Sequence, residues 1–343
     1  MTTPRALLEA ALEGGTPEIT PFAVYLCFVD DLRSARWQRL IDQGMAICEG
    51  AVTFRMIEHG VEDAVEKRVE NGVTHNIHTR RTPVGSVRQV HAGAWQTEHF
   101  VKEPADYKVL QWIVEHTEVV PVREGYDKLA ETIGHRGIIT IYAGKTPAMQ
   151  INVNMAGSER FCEDMALEVP ELFELYGALR VLFREQMRVI AAGPGRYVRW
   201  LENLSGDMFG PRRYEQLLLP VYQEQVPLLE AAGKRAMVHY DGSLRAVADP
   251  VARSPLPIIE SLTEPPEGDM RYDECRAAWP DKVFWANINM GAYALPPALL
   301  RADIIAKRER AGKRGLAFEM AEDLPADWET AIPVILQTLR DMG

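Results

Sequence analysis

The run "AMVHYDGSL" at residues 236–244 places a histidine and an aspartate at the end of a short apolar stretch. Period-two alternation puts His239 and Asp241 on one face of a strand, and Gly242 allows a sharp turn after them. An imidazole beside a carboxylate can hold a divalent metal or move a proton. A strand-end histidine is equally readable as a satisfied core residue. Glu260 closes the apolar run "LPII" 21 residues after His239, one strand–helix unit along, so the two belong to neighbouring strands. A buried carboxylate must be paired, protonated or on a metal. The bland reading of Glu260 is a salt bridge to a barrel arginine.

Further carboxylates stand at similar positions. Glu202 ends "RYVRWLEN", where position favours function. Glu224 lies 15 residues before His239, in a helical run between Pro220 and Pro227. A mid-helix glutamate is by default a solvated face residue, unless the prolines kink it inward. Glu319, Glu322 and Asp323 end the last strand-like region. Trp200, Tyr222, Tyr240, Trp285 and Tyr293 cluster near strand ends; they read as core or as the walls of a pocket for a flat ring. His75 and His78, three apart, read as surface.

The elements that must position these residues alternate along the chain. Strand-like runs fall at 18–26, 50–57, 136–144, 196–204, 234–242, 256–263, 282–291 and 314–320. In the second half, helix-like runs separate them: from Arg212 to about Ala232, near 243–253, near 271–279, at 297–312 and from Ala326. Eight parallel strands joined by helices predict a (β/α)8 TIM barrel, with chemistry at the C-terminal strand ends. Between 62 and 93 the pattern alternates around Asn71-Gly72 and Pro83-Val84-Gly85, which predicts an inserted antiparallel β-ribbon. No linker or repeat interrupts residues 1–343, so one domain is expected.

Composition narrows the partners. The 343-residue chain carries 38 basic and 49 acidic side chains, a net charge of −11. Such a chain repels phosphate backbones and anionic lipid, so nucleic acid and membrane are poor partners. No apolar run approaches a transmembrane length and the N-terminus has no signal-peptide core, which points to the cytoplasm. Cys27, Cys48, Cys162 and Cys275 are scattered and read as buried free thiols. Neither a G-x-G-x-x-G after a strand nor a P-loop occurs.

From about Trp200 onward the chain resembles the uroporphyrinogen decarboxylase superfamily, through "GPRRYEQLLLPVYQEQVPLLEAAGKRAMVHYDGSLRAVAD", "IIESLTEPPEGDM", "WPDKVFWANINMG" and "RGLAFEMAEDLP". The resemblance implies a (β/α)8 barrel with its site at the strand C-termini. The decarboxylase branch carries an arginine-rich signature after its first strand; this chain has "TPFAVYLCFVDDLRSARW" there, without the arginine pair. The thiol-methylating branch uses His-x-Cys and a late second cysteine, whereas here Asp241 and carboxylates such as Glu322 stand at those places.

The chain is more similar to the O-demethylase methyltransferases, which carry a His-Asp-Gly strand end and an Ile-Glu before a proline-rich loop. That resemblance implies Glu224, His239 and Glu260 as zinc ligands, with His239, Asp241 and Glu202 around the reacting centre as catalytic, supporting or alternative ligand groups. Carboxylate-rich zinc suits polarising an ether oxygen. The methyl group would pass to the Co(I) corrinoid of a separate corrinoid protein, since no Asp-x-His-x-x-Gly signature occurs in this chain. The expected function is therefore zinc-dependent O-demethylation of a small methoxylated, aromatic methyl donor. The alternatives are a metal-free decarboxylase of a small carboxylate and an accessory barrel without turnover. Barrels of this superfamily often pair, so a homodimer is an expected state.

Overall fold

A computed structural model describes residues 2–322 and 324–343. Strands β1 (Phe22–Tyr25) and β2 (Met45–Ala51) open a barrel. Strands β3 (Phe54–Glu58), β4 (Glu62–Glu70), β5 (Val73–Thr82), β6 (Gly85–Ala92), β7 (Trp95–Glu98) and β8 (Thr117–Pro121) belong to separate antiparallel sheets. The barrel resumes with β9 (Gly137–Tyr142), β10 (Tyr197–Trp200), β11 (Arg235–His239), β12 (Ile258–Leu262), β13 (Val283–Asn287) and β14 (Leu316–Glu319). Among the described residues these eight strands close in the order β1-β14-β13-β12-β11-β10-β9-β2, every pair parallel. The predicted TIM barrel is thus observed.

The strands are buried on both faces because helices cover the outside and side chains fill the inside. Every residue of β1, β10, β12, β13 and β14 is buried. The covering helices have local causes. Pro297–Ala311 starts at a proline, buries Leu300, Ile304, Lys307 and Ala311 along one face, and ends at Gly312 with φ +76°.

The chain falls into two compact units. The first comprises residues 1–53, 123–143 and 194–343 and holds the whole barrel. The second comprises 54–122 and 144–193. Where one domain is expected over 1–343, the chain divides into these two units, each assembled from separate stretches. In the second unit β4–β7 form a four-stranded antiparallel sheet and β3 pairs with β8. The expected ribbon at 62–93 is the core of that sheet, with its turns at Asn71-Gly72 and Pro83-Val84. The edge strand β4 is covered on neither face: every one of its residues is exposed.

Several boundaries differ from expectation: the strand expected at 196–204 ends at Trp200, which leaves Glu202 in the segment beyond it. The run at 50–57 is not one strand: the barrel strand ends at Ala51, and Phe54–Glu58 pairs antiparallel with β8. The run passes through Val52 and Thr53 without a turn residue, which hides that change of partner. The last helix begins at Ile332, not Ala326, after a 3-10 turn at Trp328–Thr330, with Pro333 in its first turn. All four cysteines are free, with Cys48 and Cys275 buried and Cys27 exposed. Among the described residues, no helix is long and apolar enough to cross a membrane.

One glycine fits the barrel interior closely. A Cβ on Gly50 would lie 1.9 Å from the Tyr142 ring. Gly50→Ala therefore forces Tyr142 from its place and is expected to cost about 1–3 kcal/mol. A chemical-denaturation midpoint unchanged from the wild type would contradict it.

Candidate functional site

Inside the barrel, period-two alternation turns Arg199 of β10 inward, away from Trp200, which packs against Tyr222 of the covering helix Leu219–Ala231. A buried guanidinium needs a counter-charge, and Glu260 of β12 supplies it through Oε1. The Arg199 guanidinium also lies 4.6 Å from the Tyr142 ring centre and 5.8 Å from that of Tyr25. The Tyr25 hydroxyl sits 3.4 Å from both Glu260 Oε1 and Glu319 Oε2.

The other oxygen of Glu260 holds His239. Neighbouring strands β11 and β12 pair His239 with Glu260 in register, and Nδ1 lies 2.7 Å from Oε2. Nε2 is left turned toward Asp241, 3.6 Å from Oδ2, and Asp241 is exposed at the strand end. An Arg199–Glu260–His239–Asp241 chain thus runs from the barrel interior to its C-terminal face.

The charges in this chain are set by position. Burial alone would drive the His239 proton off, but the Glu260 carboxylate, aided by Asp241, more than offsets it and pushes the imidazole up to about 10. Burial alone would raise Glu260, yet Arg199 and His239 bring it down to about 2. Glu319 is the reverse case. Burial and the neighbouring Glu260 charge push it well above the usual carboxylate range, so it stays protonated.

These shifts fix a stability window. The His239 contribution is fully present below its unfolded value of about 6.5 and is lost as pH rises through about 10. The Glu260 contribution is present above about 4.5 and is lost as pH falls through about 2. The His239 ring is accordingly expected to show no NMR titration between about pH 5.5 and 8.5; a midpoint near 6.5 would contradict the ion pair.

Next to this chain a cavity of about 160 Å³ opens at the C-terminal ends of β11 to β14. Its wall includes Asp241, Ser261, Asn287, Asn289, Glu267 and Glu322. Ser261 takes φ +61°, rare for a residue with a side chain, at an irregularity between β12 and β13. In that conformation its N–H donates to Glu319 Oε1 at 3.0 Å. Strain of this kind gathers at functional sites.

The other sequence candidates lie elsewhere. Glu202 is buried and accepts from the Tyr222 hydroxyl at 2.9 Å, at the end of a chain of phenols through Tyr240 to Tyr214. Glu224 is half-buried on the helix Leu219–Ala231. That helix runs through Pro227 to Ala231, and Pro220 stands in its first turn after a π-helical stretch at Tyr214–Leu218. The buried side of the helix carries Tyr222, Gln225, Val226 and Leu229, so the prolines do not swing Glu224 into the barrel. Trp200, Tyr222, Tyr240, Trp285 and Tyr293 are all buried core, and none is among the residues lining the cavity. Glu322 lines it; Asp323 lies outside the described residues.

The expected zinc set therefore does not fit. Both oxygens of Glu260 are engaged, one by a guanidinium that would repel a dication. Among the described residues, no three histidine, cysteine, aspartate or glutamate side chains are gathered closely enough to hold one ion. As placed, Glu224, His239 and Glu260 do not converge on one point, and Glu260 anchors His239.

Sequence reasoning missed Arg199, Ser261 and Asn287. A signal existed for Arg199: in the buried run "YVRW" it shares a face with Tyr197, and a buried arginine implies a buried carboxylate. Asn287 is the last residue of its strand, whereas Glu260 is the middle residue of its own.

Neither a family model nor a curated protein sequence matches the chain. Solved structures do. A methyltransferase from Methanosarcina mazei superposes with a TM-score of 0.60 at 10% identity, over 100% of this chain and 99% of that one. A pneumococcal exo-β-D-N-acetylglucosaminidase structure gives 0.40 at 11% identity, over 97% and 84%. The first likeness shows a shared fold.

Proposed function

We propose that the chain is a methyltransferase that takes a methyl group from a small methoxylated donor and passes it to the corrinoid of a separate protein. The observation that carries this reading is the anchored histidine: with Nδ1 tied to Glu260, His239 offers Nε2 at the C-terminal strand ends, beside Asp241 and the cavity. The choice of a methyl group draws support from the resemblance to the O-demethylase branch and the fold shared with the Methanosarcina mazei methyltransferase.

In the chemistry proposed, the O–CH3 bond breaks with its electron pair left on oxygen. The methyl carbon moves to the nucleophilic acceptor, and the His239 imidazolium gives its Nε2 proton to the departing oxygen. Asp241 steadies the imidazolium, and Glu260 fixes its orientation. The polar wall of the cavity, without aromatic side chains among its lining residues, favours a polar donor over the aromatic one implied by the resemblance. A carboxylate substrate, and with it decarboxylation, is disfavoured because Asp241, Glu267 and Glu322 line the cavity without a basic side chain among them.

The test is methyl transfer from a panel of O-methyl donors to free cob(I)alamin. Methylation of the acceptor by the wild type, lost in His239→Ala, is the expected result. Transfer from no O-methyl donor, or undiminished transfer in the variant, overturns the reading.

A further inference from the structure

The cavity at the ends of β11 to β14 is chemically two-sided. Toward β11 stands Asp241, with His239 Nε2 behind it at 3.6 Å from Oδ2. Toward β13 and β14 stand Asn287, Asn289, Glu267 and Glu322. Asn287 is 93% buried, being 7% exposed, and its amide nitrogen donates to Ser261 Oγ at 2.7 Å. Its Oδ1 is buried without any donor. A buried acceptor left unsatisfied costs about 1–3 kcal/mol, so this oxygen calls for an N–H or O–H from a ligand.

The charges around that acceptor define the ligand further. The Glu267 carboxylate is held in place by the Met290 N–H at 2.9 Å and by the Asn289 amide. Glu322 adds a second carboxylate at the rim. A neutral ligand would leave these charges uncountered. A small dication would need converging ligands, and among the described residues no such set forms. An organic ammonium group is broader: it needs only carboxylates spaced around it and one acceptor for an N–H.

We propose that this side of the cavity binds the protonated amine of the substrate, donating an N–H to Asn287 Oδ1 between the Glu267 and Glu322 carboxylates. The inference rests on the reading of this cavity as the donor site and names the donor class, a small methyl ether bearing an ammonium group. The amine end is held toward β13 and β14, and the ether oxygen is left toward Asp241, behind which His239 Nε2 stands.

Binding separates the inference from the methyl-transfer reading, since it needs no acceptor. The probe is 2-methoxyethylamine at pH 7, titrated calorimetrically into the full chain. Its neutral counterpart is 1-methoxypropane and its anionic one methoxyacetate. Saturable binding of the amine alone is expected, weakened roughly tenfold or more in Asn287→Leu and in the rim variant Glu322→Gln. The second variant alters an exposed residue and so reports even where the first fails to fold. Equal binding of 1-methoxypropane or methoxyacetate overturns the inference. So does amine binding unchanged in Glu322→Gln, or a stoichiometric zinc ion that excludes the amine. Amine binding without methyl transfer to cob(I)alamin keeps this inference and sinks the methyltransferase reading. Transfer from neutral ethers without amine binding does the opposite.

Discussion

Replacing Glu260 with glutamine is expected to lower stability by about 3–5 kcal/mol, the cost of leaving a buried charge without its partner. Glu260 is fully buried and joins two cations, Arg199 through Oε1 and His239 through Oε2. An amide keeps the shape and removes the charge. The contrast with Glu319 makes the expectation specific. Glu319 is equally buried but is held protonated by burial and by the Glu260 charge. Glu319→Gln exchanges one neutral group for another and preserves an acceptor for the Ser261 N–H, so it is expected to cost less than about 1 kcal/mol. In Glu260→Gln the repulsion on Glu319 disappears, and Glu319 can ionise beside Arg199. The double variant should therefore lose more than the sum of the single ones. Urea denaturation at constant m-value reads all three. Equal losses in the two single variants would contradict the assigned charges.

His239→Ala is expected to reduce methyl transfer by about 10²–10⁴-fold, the usual contribution of a positioned general acid, while the circular dichroism spectrum stays that of a folded barrel. Arg199 still balances Glu260 in this variant, which is why the fold survives. Asp241→Asn keeps the imidazole in place and should cost about tenfold. The pH profile separates a proton donor from a merely structural histidine. With the imidazole pushed up to about 10, kcat/KM should be flat across the neutral range and fall as pH rises through about 10. A profile falling between pH 6 and 7 would mean that His239 is not held by Glu260.

The sequence by itself determined the barrel and the address of its candidate site. Short apolar strands alternating with helices can bury both strand faces only under a helical layer, and in such a barrel the strand ends carry the chemistry. His239 and Asp241 were legible for that reason, standing at and just beyond a strand end, and adjacent strands had to bring His239 to Glu260, in the middle of β12. The partner of Glu260 was legible only as a category, some barrel arginine, because alternation gives the face of Arg199 but not which strand it meets across the interior.

What the tertiary structure decided is the state and company of those groups. The pairing of Arg199 with Glu260 spans 61 residues and reaches over β11, from β10 to β12, rather than following the ladder of adjacent strands. It takes up the carboxylate that a zinc ion would have needed, and it leaves Glu319 neutral a few ångströms away. Glu224 sits on a helix whose prolines are absorbed in a first turn and a continuous run, a result that local rules could not choose over a kink. The left-handed Ser261 and the unsatisfied Asn287 oxygen arise where the β12–β13 register slips. A slip of register depends on how the barrel closes, so no stretch of the chain read alone contains it.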